Sequence, residues 1–147
     1  MAASAKLFSK YHLNAGKKLI SDLSAGGSTI KVSLHTSSFT PNQDSMDSYA
    51  DLTNEVANGN GYTTGGATLA NKAFTQSGKV TKFDADDVSW SSATITARYA
   101  VIRDATPAAA ADQKVLAYVD FGEDKSSNAD TFKITWASDG IFTHTVA

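Results

Sequence analysis

The chain of 147 residues contains no cysteine. That removes disulfide scaffolds, thiol nucleophiles, thiolate zinc sites and iron–sulfur clusters together. Glutamate is nearly absent as well: Glu55 and Glu123 stand against thirteen Asp, seventeen Ser and sixteen Thr. So few straight-chain helix formers argue for strands joined by Asp-rich turns rather than for helices. Long apolar runs are missing, and no stretch approaches the roughly 18 residues of a membrane span. The N-terminal MAASAKLFSKYHL lacks the apolar block of a secretory signal. Positive charge is scarce too. Thirteen basic residues, only two of them Arg, face fifteen acidic ones, a net charge of −2. Phosphate-backbone binding relies on clustered positive charge, so neither nucleic acid nor membrane is an expected partner.

What is present divides in two. Between Ala5 and Leu23, apolar residues at Leu7, Phe8, Tyr11, Ala15, Leu19 and Leu23 recur at helical spacing, and Ala25-Gly26-Gly27 supplies a stop. Residues 1–24 therefore read as an N-terminal helical arm that either packs on its own sheet or docks on another subunit. From Thr29 the period becomes two, with Ile30, Val32 and Leu34 on one face and polar partners, His35 among them, on a solvated face. Two irregular loops follow, 37–48 and the glycine-rich 58–66, with a short helix through Tyr49, Leu52 and Val56 between them. Strands are expected at about 68–75, 79–83, 88–90, 94–103, 114–121, 131–136 and 140–146. Ser138-Asp139-Gly140 reads as a tight hairpin joining the last two. In the strand 94–102, Ile95, Ala97, Tyr99 and Val101 should share one face and Thr94, Thr96 and Arg98 the other. The fold class is all-β: a single domain with an antiparallel sandwich, or a barrel, over residues 29–147 and one N-terminal helix.

Chemistry-bearing patterns are weak. Asp120-Phe121-Gly122 matches the magnesium-binding triplet of kinases, but the glycine-rich loop, strand lysine and catalytic loop it requires are missing. Asp84, Asp86 and Asp87 gather three carboxylates without the glycine or the twelfth-position acid of an EF-hand; a turn is the plain use, a calcium site shared with Asp124 or Asp130 the sharper one. His12, His35 and His144 lie on different elements with no zinc-ligand spacing. No nucleophile elbow and no phosphate-binding glycine loop occurs. Neither an enzyme nor a cofactor is expected. Trp90, Tyr99, Tyr118, Phe121, Phe132, Trp136 and Phe142 fall beside aliphatic residues and read as core, with Trp90 and Trp136 as its anchors.

Several blocks in order carry a resemblance. Asn54-Glu55-Val56 and Gly59-Asn60-Gly61-Tyr62-Thr63-Thr64-Gly65-Gly66 lead into Phe83-Asp84-Ala85-Asp86-Asp87-Val88-Ser89-Trp90. Thr94-Ile95-Thr96-Ala97-Arg98-Tyr99 and Tyr118-Val119-Asp120-Phe121-Gly122 follow. Over roughly residues 29–146 this series resembles small virion-associated structural proteins of tailed bacteriophages and prophages. The resemblance implies a protein assembled in the bacterial host cytoplasm and located in the virion, where the lack of cysteine suits a reducing compartment. It implies many copies per particle, or a homo-oligomer, held by contacts with the major capsid protein or other virion proteins. Capsid decoration (cement) is the first role expected; a tail, head–tail junction or fibre component is the alternative. Strands of a sandwich use their apolar faces on each other, so contacts fall to loops and appended segments. The candidate contact residues are Leu7, Phe8, Tyr11, Lys17 and Lys18 of the arm, Phe39 of the first loop and Tyr62 of the second.

Overall fold

The computed structural model of the chain describes residues 2–20 and 22–146. Its strands are β1 (Ala2–Ala3), β2 (Lys6–Leu7), β3 (Ile30–His35), β4 (Ala67–Thr68), β5 (Ala73–Ser77), β6 (Val80–Asp84), β7 (Val88–Asp104), β8 (Val115–Trp136) and β9 (Phe142–Thr145). One α-helix, α1 (Lys10–Gly16), and 3-10 turns at Tyr49–Asp51 and Ala110–Asp112 complete the described elements. The larger sheet runs β1-β8-β7-β3-β4, with β2 also on β8; the smaller runs β5-β6-β9. Every pairing is antiparallel except the two residue pairs of β1 on β8. Neither sheet closes, so the expected all-β sandwich with one helix is what forms, not a barrel.

The long β7–β8 ribbon explains where the alternation holds and where it breaks. Ile95 and Ala97 are buried in the main core while Thr94 and Thr96 are exposed. Ala97 pairs with Lys125 but Tyr99 pairs with Asp120, so residues 121–124 bulge out of the ladder, with Gly122 at φ 82°. A bulge re-aims the residues beyond it. Past it, Ala100 and Ile102 face the main core, and Tyr99 and Val101 join a second cluster with Phe8, Phe39 and Val115. The expected face of Ile95, Ala97, Tyr99 and Val101 therefore ends at Ala97. The Asp-Phe-Gly triplet is this bulge: Asp120 pairs with Arg98 at 2.8 Å and accepts the Gly122 N–H.

Trp90 and Trp136 are buried, as expected of core anchors, and Trp136 donates its indole N–H to the Asp86 carbonyl. The turn at Ser138-Asp139-Gly140 is a corner, not a hairpin. Beyond it β9 leaves β8 and pairs with β6, from Phe83↔Phe142 to Val80↔Thr145. The strand expected at 68–75 is split between β4 and β5, which lie in different sheets.

The N-terminal arm departs most from its pattern. Helix is confined to Lys10–Gly16, because residues before it gain more by pairing with β8, Lys6↔Tyr118 and Leu7↔Ala117. Its end comes early through a Schellman motif: Leu19 N–H bonds to Asn14 O and Lys18 N–H to Ala15 O, with Lys18 left-handed at φ 59°. The stop at Ala25-Gly26-Gly27 is not used.

Candidate interaction surface

Phe8 and Tyr11 spend their side chains inside the protein. Phe8 is fully buried with its ring 5.2 Å from Tyr118. Tyr11 packs edge-on at 5.6 Å against Phe142, and burial raises its phenol pKa. Leu7, in β2, is half-buried against the main core. Lys17 and Lys18 are exposed, and before and after them the arm presents Leu13, 53% exposed, and Leu19, 44% exposed. Of the five arm residues expected to make contacts, the structure leaves the two lysines free to do so. The exposed apolar residues outside that expected set are Leu13, on the outer side of α1, and Leu19, which the helical spacing had placed with the inward residues and which lies just past its end.

Loop 37–48 is brought against this arm. Phe39 is buried, 4.8 Å from the His35 ring and edge-on to Tyr99 at 5.6 Å. Its outer part turns on Asn42, whose side-chain oxygen accepts the N–H groups of Asp44 and Ser45. Gln43 donates to Leu7 O, Ser9 N–H donates to Gln43 O, and Ser9 Oγ donates to Asp44. Asp47 accepts from Asn14 at 2.7 Å and from Lys114 at 2.6 Å. Burial works to raise the Asp47 pKa, but these two donors outweigh it and hold the carboxyl below its usual value. Arm and loop thus form one fixed surface.

Loop 58–66 is built over a polar cluster. Glu55 accepts hydrogen bonds from Tyr49 Oη, Tyr62 Oη and the Gly65 N–H. Arg103 lies 3.9 Å over the Tyr49 ring and donates to Gln113 and to Gly65 O. Desolvation first, then the Glu55 bond, pushes the Tyr49 pKa up to about 12, and the same two causes raise that of Tyr62. Tyr62 is buried, and its oxygen accepts the Leu34 N–H, closing the β3 edge. Gly66 is required here. At φ 76°, a Cβ would stand 1.8 Å from Val32 O. Tyr62, like Phe39, is a core residue whose loop neighbours, not its own ring, reach solvent.

The two loops also cover the second face of β3, which explains the histidine expected in solvent. His35 is fully buried; its Nδ1 donates to Thr53 O at 2.8 Å and its Nε2 bonds Ser33 Oγ at 2.9 Å. Burial lowers its pKa. His144 is exposed, 4.6 Å from the His12 ring. The acidic stretch serves as a turn: Asp86 accepts from Asn71, and Asp87 accepts the Trp136 N–H and pairs with Lys133 at 3.1 Å. Among the described residues no three His, Asp or Glu side chains are grouped so as to hold a metal ion. No family model matches the chain, and no curated protein and no solved structure matches it either.

Proposed function

We propose that this chain is a structural protein of a phage virion that acts by protein–protein contact, as a capsid decoration protein bound to the major capsid lattice. The observation carrying this reading is the surface made by the arm and loop 37–48. It is rigidly cross-linked by internal hydrogen bonds, yet presents Leu13, Leu19, Lys17 and Lys18 outward. A mixed apolar and basic patch on a fixed frame suits docking on a larger, acidic protein surface, and repetition on a symmetric lattice multiplies modest contacts. The ordered sequence blocks that resemble virion proteins support the same reading. The polar side chains under loop 58–66, Glu55, Arg103, Tyr49 and Tyr62, are bound to one another and to backbone, which is the arrangement of a scaffold.

The test is stoichiometry and binding on purified particles of the encoding phage or prophage. Densitometry should give a copy number close to that of the capsid subunit, and particles stripped of the protein should rebind it. Leu13→Asp with Leu19→Asp should abolish rebinding without changing the melting temperature. A copy number fixed by tail symmetry would place the protein in the tail, junction or fibre instead. Full rebinding by the double variant would remove the arm from the interface.

A further inference from the structure

We propose that β5 is the edge through which two copies of this chain join, antiparallel and in a two-fold register centred on Thr75. An open sheet edge offers unpaired N–H and C=O groups to another strand, and proteins blunt such edges by shortness, charge, proline, bulges or cover. The other edges here are blunted, including the free flanks of the long ribbon. The β7–β8 ladder shifts register between Trp90 and Ala93, Ala93 and Ile95, and Ala97 and Tyr99. β8 carries Glu123, Asp124, Lys125, Asp130 and Lys133 along its flank, and on β7 the Thr94 N–H is taken by Asn60 O. β1, β2 and β4 have two residues each. The β3 edge beyond β4 is taken by Tyr62 Oη on the Leu34 N–H and by the Val56 N–H on Leu34 O. The start of β9 is tied by the Ala5 N–H to Ile141 O, and α1 lies beside it through Tyr11–Phe142 and His12–His144.

β5 has none of these devices. All of Ala73–Ser77 is exposed, it pairs on one side only, and its ladder with β6 runs without a register shift. Its sequence, Ala-Phe-Thr-Gln-Ser, has no charge and no proline, and Phe74 is 42% exposed.

The hairpin fixes which groups point outward. Ser77 and Val80 pair across the two-residue turn Gly78-Lys79, with Gly78 at φ 58°. A two-residue turn closes on a hydrogen-bonded pair, and such pairs alternate along the ladder. Ser77, Thr75 and Ala73 therefore direct their backbone groups to β6, while Phe74 and Gln76 direct theirs to the open edge. A second β5 laid antiparallel with Thr75 opposite Thr75 sets Phe74 against Gln76 of the other copy, twice. Each pair then exchanges two backbone hydrogen bonds, so the outward groups of both copies are satisfied by one symmetric register. Each Phe74 ring gains the Gln76 side chain across the joint. No charged residue lies within the paired stretch; Lys72 and Lys79 fall beyond its ends, where screening weakens their repulsion. The product is a continuous six-stranded sheet whose outer face carries Thr75, Ser77, Thr143 and Thr145.

Because the chain lacks cysteine, Thr75→Cys introduces a single thiol at the two-fold axis, in the non-hydrogen-bonded pair where side chains approach most closely. Under mild oxidation at ~10 µM protein it should form a disulfide-linked dimer roughly a hundredfold faster than Asn128→Cys, an exposed control on β8, since pairing raises the thiol's effective concentration to about the mM range. Adding Gln76→Pro removes an N–H that makes no bond to β6, so it should return the rate to the control while the melting temperature stays. Phe74→Lys with Gln76→Lys, which sets like charges opposite each other, should do the same. Sedimentation of the unmodified chain should show a concentration-dependent dimer that both blocking variants lose. Crosslinking of Thr75→Cys no faster than Asn128→Cys, or a dimer that survives both blocking variants, would overturn the proposal.

Discussion

The two sheets of this sandwich treat water differently. At the β3–β7 end of the larger sheet both faces are buried: Val32, Leu34, Ala100 and Ile102 face the main core, while Ser33, His35, Val101 and Arg103 lie under loops. The smaller sheet buries one face, through Phe83 and Phe142, and leaves Thr75, Ser77, Thr143 and Thr145 in solvent together with the whole of β5. The first region carries its polar groups inside, where Glu55, His35 and Tyr62 are hydrogen-bonded and Arg103 keeps one nitrogen, Nη1, without a partner among the described residues. The second keeps polar groups outside at no such cost. Stability is concentrated in the one and freedom to make contacts in the other.

The sharpest way to break this contrast is to remove residues 1–24. Phe8, Tyr11, Ile20 and Leu23 are buried, and β1 and β2 border β8. Four such side chains at about 1.5–3 kcal/mol each approach the whole stability of an ordinary domain. The truncated chain should be unfolded by circular dichroism; a folded product would mean the arm is an appendage after all. Next in size, Trp90→Ala or Trp136→Ala should each cost about 3–5 kcal/mol in denaturant unfolding. Phe74→Ala on the open edge should cost under ~1 kcal/mol in dilute monomer, in the range of surface substitutions. Equal losses at Trp136 and Phe74 would erase the distinction.

Acid probes the covered face of β3. Burial holds the His35 pKa below its ordinary value, so the folded state takes up its proton less readily than the unfolded one. His12 shifts the same way, by burial and then by the charge of His144. Stability from these groups is complete above about pH 6.5 and is lost as pH falls through the depressed values. Melting temperature should therefore decline as pH falls below about 6.5, and the His35 ring should titrate by NMR below the ordinary histidine value. A His35 resonance titrating above 6.5 would contradict the burial. The smallest effect is expected at Lys18, which holds the left-handed position ending α1. Lys18→Gly should raise stability by about 0.5–1 kcal/mol, since glycine adopts that conformation without a Cβ penalty.

Much of this was legible in the residues. Ile30, Val32 and Leu34 announce the strand and its core-facing side, though not the burial of its other face, and the Ser, Thr and Asp content with scarce Glu announces the sandwich. Local pattern could not show that loops 37–48 and 58–66 fold back over β3. For that reason the local pattern puts His35, Phe39 and Tyr62 at the surface, although each fills space under those loops. The bulge at 121–124 was hidden because β8 is interrupted by polar residues that resemble a turn. The helical spacing from Leu7 to Leu23 is not one inward face: Leu7, Phe8, Tyr11 and Leu23 pack inward, while Ala15 and Leu19 are exposed. It is produced by a strand, a short helix and a turn in succession, each packed on the sheet. The exposed residues Leu13 and Leu19 could not be separated from the buried ones until the helix was oriented by Tyr11.

Amide hydrogen exchange as a function of protein concentration tests the contrast between the two sheets most directly. In dilute solution the amides of Val101, Ile102, Leu116 and Ala117 should exchange only with global unfolding, while those of Phe74 and Gln76 exchange at rates near those of an open chain. Raising the concentration should slow Phe74 and Gln76 selectively and leave Ala73, Thr75 and Ser77 unchanged. Protection of Phe74 and Gln76 equal to that of Ile102 at every dilution would contradict the account, because it would mean that β5 has no free edge.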